Sequence, residues 1–192
     1  MFFKDTNGSS RHADPSRLED LANLKITDAR PGDTLSIVGV GDEFADLDFT
    51  VDRRSMVEWG NKRWTELSGT YRDRRVSLEV HNDETVEVFG SFDGRTITLD
   101  ELGLTEADLG EIDSRQNQAD NFEFEGKVWL YRWSREIGYF RENEFKGNGC
   151  YTWRFQQDEG NQVLTVRKFE SDPFSAFISI KVNPGDITVY RG

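Results

Sequence analysis

The sequence predicts an all-β protein, mainly antiparallel, made of two similar packed β units that are sandwich-like or partly open barrels, with a short N-terminal helix. Three observations carry that prediction. Short β-branched and aromatic runs with period-two alternation are separated throughout by turn residues. A faint duplication runs along the chain. Trp64-Thr65-Glu66 followed by Arg75–Val80 recurs as Trp153-Arg154-Phe155 followed by Val163–Lys168, and Pro31-Gly32-Asp33 returns as Pro184-Gly185-Asp186. Helical signatures, finally, are confined to the N-terminal stretch and to two short runs near residue 100.

The N-terminal segment, 1–29, begins with a polar, turn-rich extension over residues 5–14. Asp14 suits an N-cap and Pro15 the first helical position. Leu18, Leu21 and Leu24 recur at three-residue spacing, which predicts a short helix with one apolar stripe. The first β unit, 30–110, opens at Pro31-Gly32-Asp33, which introduces a strand over Thr34–Val38. Further strands follow at Asp48–Val51, Lys62–Leu67, Arg75–Val80 and Thr85–Phe89, with turns at Gly60-Asn61, His81-Asn82-Asp83 and Asp93-Gly94. Val76, Leu78 and Val80 alternate with Ser77, Glu79 and His81, so Glu79 is expected on a wet face, away from the core.

Thr98–Leu102 and Thr105–Leu109 each suit a helical turn, with Thr105 as cap and Glu106 and Asp108 at its positive end. Residues 111–121 read as an exposed connection. The second β unit, 122–192, opens on a hairpin in which Phe122 and Phe124 face Val128 and Leu130 across Glu125-Gly126-Lys127. Strands at Tyr151–Phe155, Val163–Phe169, Ala176–Val182 and Ile187–Tyr190 complete it.

Composition narrows the function. With 192 residues, 35% of them hydrophobic, and 14 Phe, 5 Trp and 5 Tyr, the chain has the apolar area for a packed core. A formal net charge of -12 repels a phosphate backbone, which argues against a nucleic-acid partner. Cys150 is the only cysteine, so no intramolecular disulfide forms, and the expected setting is a reducing cytoplasm. Its neighbours Gly149 and Tyr151 offer nothing that activates a thiol. No stretch has the length and apolarity of a signal peptide core or a membrane span, so no membrane insertion is expected.

Several motifs fit a known pattern. Arg63-Trp64-Thr65-Glu66 leading to Ser77-Leu78-Glu79, the opening Phe124-Glu125-Gly126-Lys127-Val128-Trp129, and Leu164-Thr165-Val166 with Val182-Asn183-Pro184 resemble a bacterial family, domain of unknown function 4178. The likeness covers most of residues 30–190. It implies two β units, each carrying a Glu after its alternating strand. This chain keeps Glu79 in the first unit, has Arg167 at the matching place in the second, and carries Leu67 where a Tyr is usual. The resemblance implies no activity.

Three candidate sites remain. Glu66 and Glu79 on neighbouring strands are the weak candidates for paired-carboxylate acid and base work. Among 36 acidic residues such a pair arises readily by chance, and a Glu79–Arg167 charge pair between the units is the stronger expectation. The acidic run Asp42–Asp48 lacks the spacing, glycine and terminal Glu of a calcium loop, and His12, His81 and Cys150 are too scattered for zinc, so no metal is expected. Gly39-Val40-Gly41 lacks the remaining glycine of a dinucleotide loop, and no cofactor is expected. The third candidate is aromatic. Simple alternation sets Trp129, Tyr131 and Trp133 on one face, opposite Leu130 and Arg132, and with Trp64 they suggest a recognition surface. The expected function is a non-enzymatic cytoplasmic protein-binding or assembly module using that aromatic and acidic surface, with homo-oligomers possible through open strand edges. The alternative is a small-ligand binder or hydrolase-like enzyme with a cleft at the joint between the units.

Overall fold

The computed structural model describes residues 24–141 and 146–192; the helix expected over residues 14–24 lies almost wholly outside them. The protein is all-β, as its sequence predicts. The first half holds β1 (Thr34–Ile37), β2 (Leu47–Trp59), β3 (Lys62–Tyr71), β4 (Arg74–Asn82) and β5 (Val86–Ser91). The second holds β6 (Asn121–Phe124), β7 (Lys127–Arg141), β8 (Asn148–Gln157), β9 (Gln162–Phe169) and β10 (Ser175–Val182), followed by β11 (Ile187–Tyr190). Two helices, α1 (Leu99–Leu102) and α2 (Glu106–Arg115), join the halves. Thr98 and Thr105 cap them, each paired with an acidic residue three positions on in a capping box. No helix among the described residues is long and apolar enough to cross a membrane.

Each half is an antiparallel meander, β2–β5 and β7–β10, and the two close on one another. β5 pairs with β10, and the end of β2, Ser55–Glu58, pairs with the end of β7, Gly138–Arg141. The result is a ring of eight strands in the order β2-β3-β4-β5-β10-β9-β8-β7. The beginnings of the two long strands belong elsewhere: that of β2 pairs with β1, and that of β7 with β6. A bulge lies midway along each long strand, between Val51 and Arg53 and between Tyr131 and Trp133. An extra residue bends a strand and exchanges which side chains face which way, so one strand serves both the ring and the cover outside it.

The covers explain where the apolar residues went. Leu67, Leu78, Val80 and Val88 on the outer face of the first half are buried with Leu35, Ile37, Phe49, Ile187 and Val189. These come from β1, β11 and the start of β2, which fold back over the ring. The approach is close: at Gly69 a Cβ would stand 2.3 Å from the Thr50 carbonyl and 2.4 Å from the Phe49 ring, so only glycine is accommodated there. On the second half Trp129, Tyr131, Trp153, Phe155, Leu164 and Val166 are buried with Leu102, Leu109 and Ile112 from the helices and Phe124 from β6. Full burial of such large side chains is worth roughly 1.5–3 kcal/mol each. α2 is further fastened by Trp153 Nε1, which donates to the Leu109 carbonyl at 3.1 Å, and by Tyr151, which donates to Asp113 at 2.9 Å.

Two expectations about the duplication need correcting. Pro184-Gly185-Asp186 does precede a strand, but β11 leaves the second half and pairs with β1, so residues 187–190 complete the first half's sheet and core. The two tryptophans of the repeat also differ. Trp64 pairs with His81 and Trp153 with Val166, which places Trp64 inside the ring and Trp153 outside it. The second strands of the repeat do match, with Glu79 on β4 and Arg167 on β9 both turned inward.

Candidate functional site

Residues directly opposite on neighbouring strands share a face. Glu66 opposes Glu79, and Trp64 opposes His81, across β3 and β4; Trp133 opposes Arg154, and Arg135 opposes Thr152, across β7 and β8. These faces point into the ring, because Glu66, Glu79 and Arg154 make contacts across strands that are not neighbours. Arg167 on β9 reaches Glu66 at 2.8 Å and Glu79 at 3.2 Å, and Arg154 on β8 reaches Glu79 at 2.7 Å. Tyr139 on β7 donates its hydroxyl to Glu66 at 2.7 Å. The Glu79–Arg167 pair expected between the halves is therefore present, as one edge of a larger network.

Glu79 is not on a wet face. It does turn away from its own half's apolar core, but the second half covers it, and only 4% of it is exposed. Burial by itself would raise its carboxyl; Arg154, the neighbouring His81 and Arg167 outweigh that and hold it far below the usual carboxylate range. His81 Nε2 approaches to 3.5 Å without the alignment of a hydrogen bond. Burial would lower Arg167, yet Glu66 and Glu79 raise it above the usual arginine value. Tyr139 is pushed up to about 12, by burial first and then by Glu66. Cys150, fully buried on the inner face, has its thiol raised by burial, the opposite of an activated nucleophile.

Beyond this network the ring opens into a cavity of about 860 Å³. The turns after β2 and β4 form its rim, and both halves line it: Trp59, Trp64, His81 and Phe89 from the first, Trp133, Arg135 and Arg154 from the second. The aromatics are ordered by contact. Trp64 stacks on His81 with ring centroids 5.1 Å apart and planes 17° from parallel, and His81 meets Phe89 edge-on at 5.8 Å. On the opposite side the Arg135 guanidinium lies 3.6 Å from the Trp59 ring centre and 4.3 Å from that of Trp133. Among the described residues it has no hydrogen-bond or ion-pair partner. Its Nε is buried and unpaired, and burial draws its pKa down. Trp64, 8% exposed, likewise has its Nε1 buried without an acceptor.

The sequence-derived site residues divide between these environments. Trp129 and Tyr131, at 0% and 1% exposure, belong to the outer core under α2 and present no recognition surface. Trp133 parts from them because the bulge leaves Arg132 unpaired and turns Trp133 into the ring, where it and Trp64 line the cavity. The row of three aromatics on one face does not form. Glu66 and Glu79 are brought together, but neither lines the cavity. Glu79 is held by Arg154 and Arg167 and Glu66 by Arg167 and Tyr139, which fastens the halves together. Arg135 and Arg154 were not among the sequence candidates. Arg135 lies two positions after Trp133 on one strand, and that spacing alone puts both on the same face.

Comparison with protein families, with curated proteins and with solved structures finds no match.

Proposed function

We propose that the protein is a non-enzymatic binder of a small organic molecule, held in the mouth of the ring at the joint between its two halves. One observation carries this reading: a cavity of about 860 Å³ whose walls come from both halves and whose lining sets aromatic rings beside a cation, Arg135, that has no counter-ion among the described residues. Ligand sites are typically about 300–1,000 Å³, mostly aromatic and apolar, with a few polar groups that fix orientation. The network of Glu66, Glu79, Arg154 and Arg167 beneath the cavity supports the reading, because it holds the walls in a fixed relation. The plan of two β units agrees with membership in domain of unknown function 4178, which we include in the proposal together with a cytoplasmic setting.

The test is a screen of small-molecule fragments against 15N-labelled protein, following the five indole N–H resonances. Binding in the mouth moves those of Trp59, Trp64 and Trp133 and leaves the buried indoles of Trp129 and Trp153 in place. A screen in which no fragment moves the mouth indoles overturns the proposal.

A second reading, assembly with a protein partner or another copy, is favoured by the sheet edges. Among the described residues β6 and β11 each end the strand order with one unpaired side, and Tyr190 on β11 is 55% exposed. Light scattering at rising concentration tests self-association; a constant monomer mass removes that form of it.

A further inference from the structure

We infer that the ligand is a planar organic monoanion, an aromatic or conjugated carboxylate whose oxygens take the edge N–H groups of Arg135. The inference rests on the mouth being a small-molecule site and names the chemistry that site selects.

The cations of the cavity wall are not equivalent. Lys62 has Asp83 at 3.9 Å, Arg63 has Glu58 at 2.7 Å, and Arg154 has Glu79 at 2.7 Å. Arg135 alone among them faces the cavity with no counter-ion among the described residues. Two indoles lie against its guanidinium, Trp59 at 3.6 Å and Trp133 at 4.3 Å from ring centre. Its Nε is buried, which leaves the two Nη groups, whose N–H donors can take the oxygens of a carboxylate. Contact with two indoles restricts the side chain, so less ordering is left for a ligand to impose. A partly desolvated cation without a counter-ion is a cost in the empty protein that an oxyanion beside it offsets on binding.

The rest of the wall selects the body and the charge of the ligand. Trp64 and His81 present parallel rings with Phe89 beside them, a surface suited to a flat, conjugated body. Asp83, Glu84 and Glu87 line the same cavity, and the whole chain carries a net charge of -12. One negative charge placed on Arg135 is tolerated in that field, whereas a phosphate dianion or polyphosphate is repelled by it.

The probes are 2-naphthoate, its neutral amide 2-naphthamide, and 2-naphthyl phosphate. Each is titrated into the full chain and into Arg135→Gln and Arg135→Lys variants, with the indole resonances and calorimetry as readouts. The wild-type protein is expected to bind the carboxylate at least about tenfold more tightly than the amide, the scale of one charge-assisted hydrogen-bonded contact. Arg135→Gln abolishes that preference, so that carboxylate and amide bind this variant equally, and Arg135→Lys restores it only in part. The phosphate binds more weakly than the carboxylate. Equal affinity for carboxylate and amide overturns the inference using the wild-type chain alone, as does a preference that survives Arg135→Gln; in both cases the cavity reading stands. Tighter binding of the phosphate overturns the monoanion assignment. If no probe moves the mouth indoles, the cavity reading falls and the inference with it.

Discussion

The two halves of the ring follow one strand plan but bring opposite charges to its interior. The first half, β2–β5, contributes Glu66 and Glu79, placed directly opposite each other across β3 and β4. Like charges in that relation repel, so the first half carries an arrangement that is unfavourable by itself. The second half, β7–β10, contributes Arg154 and Arg167, and Arg167 contacts both carboxylates at once. Outside the ring the halves differ again: strands β1 and β11 cover the first core, and helices with β6 cover the second. A duplicated plan has thus become complementary, and neither half is self-sufficient in charge.

Removing the shared cation is the most direct way to break this comparison. Arg167→Gln leaves the buried Glu79 carboxylate and the partly buried Glu66 carboxylate face to face and is expected to cost about 3–5 kcal/mol of stability in urea unfolding. Glu79→Gln alone is also destabilising, and the double variant loses less than the sum of the two; additive losses in that cycle would mean that the halves are not coupled through this pair.

The outer cores offer the next test, since they are equally buried despite their different covers. Leu78 in the first and Leu164 in the second are both fully buried, and replacement of each by Ala is expected to cost about 2–5 kcal/mol. A much smaller loss at either site would show that its cover yields and refills the space.

Titration sharpens the contrast between acid and base. The Glu79 carboxyl is held below its ordinary value of 4.5, so its contribution is complete above that pH and is lost as pH falls further. Acid unfolding of the Glu79→Gln protein should therefore be less steep than that of the parent. Tyr139 acts in the opposite sense. Its pKa rises from 10.0 to about 12, so its contribution, roughly 2 kcal/mol, is present below pH 10 and lost as pH climbs toward 12. Melting temperatures of a Tyr139→Phe variant across that range should lack this alkaline decline. The smallest effect is expected at the helical cover: Thr105→Ala removes the cap of α2 at a cost of about 1 kcal/mol and leaves the first core untouched.

Much of the local structure was legible in the sequence. The Glu125-Gly126 turn of the β6–β7 hairpin, with φ of 52° and 69°, follows from the glycine and the alternating residues around it. The cap at Thr105 follows from Asp108 three residues later. The candidate site was only partly legible. Alternation placed Glu79 opposite the apolar residues of its own strand, but it says nothing about what lies over that face; the covering half begins some forty residues later. The bulge at Arg132 has no glycine or proline to announce it, and without it Trp133 reads as a neighbour of Trp129 and Tyr131. Ring closure depends on Ser55 meeting Arg141 and on Gly90 meeting Ile180, pairings that no short window contains.

The pairing of β1 with β11 also sets a timetable for the nascent chain. Thr34 meets Tyr190, and the first core includes Ile187 and Val189, so the half that is synthesised first is the one that must wait longest. Until residue 190 has been made, Leu35 and Ile37 lack the strand beside them. Contacts so distant along the chain close slowly, and an apolar surface left waiting is exposed to the wrong neighbours. The second half, whose helices and β6 lie next to it in sequence, completes its own core without that delay and gives the first half a wall to close against.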